Sequence, residues 1–207
     1  MLKIIKIGGG IIDDNQELEQ FLRTFAAIDG PKILVHGGGK GASKMLNQLG
    51  IEPKMVEGRR ITDQPTLDVV TGLYAGNINK TIVAKLQEFG SNALGLSGAD
   101  GNAIKGSKRP VKTIDYGFVG DLTDESVNKN LFQLLIDNNI TPIVCAITHD
   151  GNGQLLNTNA DTVASTIAVA MSQQNDVELN FVFDKIGVLR DVNDDTTLIP
   201  KINETLY

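Results

Sequence analysis

Two stretches of this 207-residue chain are built alike, and together they leave few folds open. Lys3-Ile-Ile-Lys-Ile-Gly-Gly-Gly10 is a short β-branched apolar run stopped by three glycines, and Lys32-Ile-Leu-Val-His-Gly-Gly-Gly39 repeats the device. Apolar runs of that length and composition fill buried strands. A glycine turn that leads on to a helix exposes backbone N–H groups, which suits an anion. Lys6 stands at the end of the first run, so its ammonium can reach whatever the glycines hold. Two such turns with cations beside them predict two phosphate-like groups held close together. That is the layout of a small-molecule phosphotransferase.

The rest of the chain alternates in the same way. Asp13 and Asp14 open a helix over 15–28 whose Leu18, Phe21, Leu22 and Phe25 fall at helical spacing. After Gly30-Pro31 and the second strand, a helix over 41–49 is expected to carry Met45, Leu46 and Leu49 inward. Residues 54–62, with Arg59 and Arg60, read as extended, and Pro65 is placed to start a helix running to Phe89. A strand over 92–97 runs into Gly98-Ala-Asp-Gly101, and 104–111 reads as an exposed hairpin with its return at 118–120. A helix over 124–138 with Val127, Leu131, Leu134 and Leu135 inward, a strand over 141–147, a helix over 162–172 and a strand over 179–183 complete the pattern. Strand–helix alternation predicts an α/β fold with a mainly parallel sheet covered on both faces.

Composition narrows the function classes. A hydrophobic content of 41% supplies a full core, and a net charge of −6 argues against non-specific nucleic-acid binding, which needs a basic face. An anionic substrate must then be met by local cations and N–H groups. The lone Cys145 lies in an apolar run, so it forms no internal disulfide and reads as a buried strand residue. No signal peptide or membrane-length apolar run is seen, which points to the cytoplasm.

Several residues carry candidate chemistry. Gly37 to Ala42 fits the G-x-G-x-x-A dinucleotide fingerprint, a weak signal by itself, and no Gly-Lys-Ser/Thr closes a P-loop. Arg60 has the fork that clamps a carboxylate, although in isolation it reads first as a surface arginine beside Arg59. Asn157, Asn159 and Asp161 precede a helix start; capping explains one of them, not three. An acid beside a phosphate site repels, so Asp161 must hold a lysine or a magnesium ion in place. His36 reads as a strand-end residue and His149 as a turn residue, and no metal ligand set is found.

The order of Lys6-Ile-Gly-Gly, Val35-His-Gly-Gly-Gly39, Gly95-Leu-Ser-Gly-Ala-Asp-Gly-Asn102, Phe118-Val-Gly120 and Asn157-Thr-Asn-Ala-Asp161 resembles the acetylglutamate kinases of the amino-acid kinase superfamily. The resemblance spans essentially the whole chain. It implies a three-layer αβα sandwich in one domain over 1–207, with an acylglutamate-binding lobe over about 1–150 and the start of a nucleotide-binding lobe over about 151–207. It also implies transfer of the γ-phosphate of MgATP to the side-chain carboxylate of an N-acylated glutamate, and a homodimer. Lys6 then stabilises the transferring phosphoryl group and Asp161 orients the catalytic lysines. Gly38, Gly39, Arg60, Asn157 and Asn159 hold the acylglutamate, while Gly8, Gly9, Asp184 and Gly187 face phosphate and nucleotide.

Three departures qualify this. The family's second catalytic lysine lies downstream of Tyr207, and Leu198 to Tyr207 reads as a helix opening without its close, so the domain is expected to be incomplete at its C-terminal end. Phe183-Asp-Lys-Ile-Gly187 differs from the Thr-Asp-x-x-Gly pattern of the family's nucleotide loop. The chain starts directly at its first strand, without the N-terminal helix of arginine-inhibited members, so such inhibition is not expected. The rivals are a sibling kinase acting on aspartate, glutamate, carbamate or UMP, a succinylglutamate kinase, a nicotinamide-dependent oxidoreductase and a non-catalytic acylglutamate binder. The oxidoreductase gives the Lys6 turn no role.

Overall fold

A computed structural model describes residues 1–56, 59–191 and 193–202. Five parallel strands form the central sheet in the order β11–β1–β2–β8–β5. They are β1 (Leu2–Ile7), β2 (Lys32–His36), β5 (Ala93–Leu96), β8 (Thr141–Cys145) and β11 (Val177–Val182). Three two-stranded ribbons decorate it: β3 (Met55–Val56) with β4 (Arg59–Arg60), β6 (Ser107–Lys108) with β7 (Gly120–Asp121), and β9 (Ile147–His149) with β10 (Leu155–Asn157).

The two faces of the sheet are covered by different helices, which makes three layers. On β1, Ile5 and Ile7 point to one face, where they meet Leu18, Leu22 and Phe25 of α2 (Asn15–Ala26). The same face is covered by Leu67 and Val70 of α4 (Gln64–Thr71) and by Ile82 and Leu86 of α5 (Asn79–Glu88). Leu2 and Ile4 point to the other face, against Phe132 of α6 (Lys129–Asp137) and Val163 and Ile167 of α7 (Ala160–Met171). The strict inside–outside alternation of strand side chains divides one apolar run between two cores.

Local departures from the sequence expectation have identifiable causes. The first glycine stretch does not stop the chain: Gly9–Asp13 forms a single helical turn, α1, before Asp14 caps α2 through its side chain. The long helix from Pro65 is present but not uniform, because Gly72–Ile78 between α4 and α5 is π-helical. In α3 (Gly41–Gln48) Ala42 and Leu46 are buried, whereas Met45 and Leu49 face solvent. The helix expected from 124 starts at Lys129 with Asn128 as its cap, and Phe132, not Leu134 (60% exposed), fills its core position. Of the helix opening expected over 198–207, Leu198 pairs with Leu189 as an isolated bridge, and 203–207 lie outside the described residues.

Candidate active site

Parallel α/β sheets bind ligands beyond the carboxyl ends of their strands, where neighbouring connections diverge. Here that place is the end of β1, flanked by β2 on one side and β11 on the other. The turns after β1 and β2 touch: a Cβ added to Gly9 would lie 2.7 Å from the Gly39 Cα. Gly39 has φ +54 and sits against the Asp13 carboxylate, which accepts the Lys40 N–H at 2.9 Å. Gly38 is pressed from below, because a Cβ there would fall inside the Tyr74 ring. Glycine is required at both positions, at one for its backbone conformation and at the other for space. Among the described residues, the N–H groups of Gly38 and Gly39 have no acceptor.

Above this turn lies a cavity of about 220 Å³ lined by Gly39, Arg60, Tyr74, Asn157, Asn159 and Ala160 among others. Arg60 enters from the β3–β4 ribbon, and its Nη2 donates to Ser43 Oγ at 2.8 Å. Its Nη1 is buried without a hydrogen-bond partner among the described residues. A buried guanidinium nitrogen left unpaired is costly, and a carboxylate is the group that best satisfies it. Asn157 donates to Thr62 Oγ1 at 3.0 Å, while the Asn159 side-chain oxygen caps α7 by accepting the Thr162 N–H at 2.9 Å. Capping is thus the local reason for Asn159, and its amide nitrogen remains available. Burial pushes the Tyr74 phenol above its usual range, with the nearby Arg60 charge and a loose side-chain contact to Arg60, longer than a formed hydrogen bond, opposing.

Next along the chain from the cavity-lining Ala160, Asp161 Oδ1 forms an ion pair of 2.7 Å with Lys6 Nζ, joining the end of β1 to the first turn of α7. The Lys6 side chain is 17% exposed and Asp161 54%. An acid next to an anion site is accounted for if it aims a lysine, and this geometry does so.

The nucleotide-side residues are less closely gathered. Gly8 donates its N–H to Val182 O at 2.7 Å, so it supplies room and not a donor. Asp184 abuts Gly10, where a Cβ would lie 2.6 Å from its carboxyl carbon. Gly187 (φ +155) packs on Leu198. The structure therefore brings Gly39, Arg60, Asn157 and Asn159 around one cavity, with Gly38 in the turn beneath it and Lys6 with Asp161 alongside. Gly187 sits in a separate turn.

Tyr74, Asp13 and Ser43 belong to the site and escaped sequence reasoning. Each acts through a partner distant in the chain, and only the glycine run at 37–39 hinted that something large must press on it.

The chain matches the model of the Amino acid kinase family over residues 1–205. The acetylglutamate kinase of Bacteroides fragilis is 55% identical over 206 residues, covering 100% of this chain and 78% of that protein. That of Bacteroides thetaiotaomicron is 56% identical, with 79% of its length covered. Among solved structures, N-acetylglutamate synthase from Neisseria gonorrhoeae, complexed with coenzyme A and N-acetyl-glutamate, superposes with a TM-score of 0.75 over 92% of this chain and 43% of that one. At 17% identity that likeness is one of fold. By the family match and by its identity to full-chain relatives, this chain belongs to the amino acid kinase family, among the acetylglutamate kinases.

Proposed function

We infer that this protein transfers the γ-phosphoryl group of ATP to the side-chain carboxylate of N-acetyl-L-glutamate, forming an acyl phosphate for arginine biosynthesis. The observation that carries the reading is the buried Nη1 of Arg60, without a hydrogen-bond partner among the described residues, on a cavity that Gly37 and Gly39 of the glycine turn help to line.

A glutamate side chain has an ordinary pKa of about 4.3, so the acceptor is already a nucleophile at neutral pH and no general base is needed. Its oxygen forms a bond to the γ-phosphorus as the bond to the β,γ-bridging oxygen breaks, and ADP leaves with that electron pair. Catalysis then consists of alignment and charge neutralisation. Arg60, Asn157, Asn159 and the Gly38 and Gly39 N–H groups hold the acylglutamate. Lys6, aimed by Asp161, meets the charge on the transferring group, and Gly8, Gly9, Asp184 and Gly187 border the nucleotide.

Among the described residues no three His, Cys, Asp or Glu side chains converge on one point. A magnesium ion accompanying the nucleotide would need few protein ligands at such a site. When bound it supplies further neutralisation of phosphate charge. We assign residues 1–150 to the acylglutamate lobe and 151–207 to the start of the nucleotide lobe, and place the enzyme in the cytoplasm as a homodimer. In support of that compartment, no described helix is long and apolar enough to cross a membrane, and Cys145 is a free, buried thiol.

The test is ATP-dependent hydroxamate formation with N-acetyl- and N-succinyl-L-glutamate side by side. Signal is expected with the acetyl compound, and Arg60→Lys should raise its KM about tenfold, the loss of roughly 1.4 kcal/mol of bidentate contact. No hydroxamate from either acylglutamate would sink the assignment.

A further inference from the structure

His36 reads from sequence as an ordinary strand-end residue, yet it is fully buried directly before the glycine turn. Its Nδ1 lies 2.8 Å from Gly37 O and its Nε2 lies 3.0 Å from Asn79 Nδ2. Asn79 is equally buried and its amide is fully committed. Nδ2 also donates to Ile143 O at 2.9 Å, and Oδ1 accepts from Lys80 Nζ at 3.0 Å. Reversing the amide would set its oxygen against the Ile143 carbonyl, so Asn79 must present N–H to His36. Nε2 is then an acceptor, the ring proton is on Nδ1, and that proton is donated to Gly37 O.

A trans peptide carries its C=O and N–H on opposite sides, and no cis peptide is present among the described residues. Fixing Gly37 O toward the buried His36 therefore turns the Gly38 N–H away from it.

The same element controls the other side of the turn. Tyr74, whose ring lies against Gly38, is five residues before Asn79. In an α-helix residues five apart point about 140° away from each other. In the π segment the Asn79 N–H bonds to Tyr74 O, an i→i+5 contact that brings the two side chains onto one face.

We propose that His36 and Asn79 are positioning residues for the acylglutamate. The neutral Nδ1–H imidazole, set by Asn79 at the exit of the π turn, holds the Gly37 carbonyl inward so that the Gly38 N–H is offered to substrate. The proposal rests on the reading of this cavity as the acylglutamate site.

Its test has two parts. Selective ¹⁵N labelling of histidine gives the tautomer of His36 in the intact wild-type protein by NMR. An Nδ1–H tautomer that persists from pH 8 to pH 6 is expected; an Nε2–H tautomer would overturn the proposal whatever the variants do. Kinetics supplies the second readout. His36→Asn keeps an amide donor near the Nδ1 position, while His36→Leu and Asn79→Leu remove the relay. The two leucine variants should raise KM for the acylglutamate about tenfold and leave KM for ATP within about twofold, and His36→Asn should recover at least half of that loss on a logarithmic scale. Equal changes in both KM values, or no recovery with Asn, would reduce the pair to core packing. If the leucine variants do not fold, the tautomer decides alone. Wild-type hydroxamate formation separates this outcome from a failure of the underlying assignment.

Discussion

β2 and β11 flank β1 on its two sides, and the turns that follow them are held in opposite ways. After β2, Gly37–Lys40 is fixed by the Tyr74 ring, the Asp13 carboxylate and His36. Every residue of β2 is buried. After β11, residues 183–188 are mostly exposed, and β11 itself is only partly buried. The side assigned to the phosphoryl acceptor is thus built into the fold, while on the side assigned to nucleotide the described residues are more exposed, next to the C-terminal end of a chain that spans 78% of the Bacteroides fragilis relative. Pre-formed geometry costs nothing at the moment of reaction. Lys6 belongs to neither side. It is paired in register with Val35 on β2 and Phe181 on β11, at the junction of the two.

That junction gives the largest expected effect. Lys6→Ala should lower kcat by about 10²–10³-fold, on the scale of losing one preorganised donor to a developing anion. KM for the acylglutamate should change little, as measured by steady-state hydroxamate assays. A selective rise in that KM with kcat preserved would place Lys6 on the β2 side alone.

Acidification probes the locked side next. Burial pushes the His36 imidazole down to about 4 from an ordinary 6.5. The unfolded chain therefore takes up this proton before the native state does. Stability from the neutral ring is complete above pH 6.5 and is lost as pH falls toward 4, by up to roughly 3 kcal/mol. Urea unfolding at pH 7 and pH 4.5 should show a drop that His36→Asn largely abolishes. An unchanged difference in the variant would assign the acid sensitivity to carboxylates elsewhere.

Gly38→Ala attacks the same turn by volume. The added carbon would overlap the Tyr74 ring, so ring or turn must shift, at about 1–3 kcal/mol. In Gly38→Ala/Tyr74→Leu, which makes room, thermal stability should recover part of that loss. No recovery would mean that the turn, and not the ring, had moved.

These contrasts explain what could be read without coordinates. Ile4, Ile5, Val35 and Val144 announced buried parallel strands because both faces of each strand are covered, and the glycine runs marked the site because a turn so tightly packed tolerates nothing larger. Arg60 and Asp161 were legible as residue types suited to the chemistry, not as positions. The choice of Phe132 over Leu134 for the core was not legible, because both lie within one apolar stretch and only the distance to the sheet selects between them. The π segment was equally silent. Its backbone pattern is stabilised by Tyr74 meeting Gly38 and Asn79 meeting His36, contacts that join residues 36 and 43 positions apart.

The smallest effect is expected at β11, and it tests whether the open side is truly open. Phe181 is 43% exposed although the side chain of its neighbour in register, Lys6, is 17% exposed. Phe181→Ser removes an aromatic ring from a strand, which costs up to about 1 kcal/mol through strand preference when little area is buried. Val35→Ala removes only two methyl carbons, but from a fully buried position, and should cost more than Phe181→Ser in urea unfolding of the same 207-residue chain. If Phe181→Ser proves the costlier change, this face of β11 is covered in solution, and the contrast between the two sides of Lys6 fails. If the order holds, this face of β11 is open in the 207-residue chain, as the contrast requires.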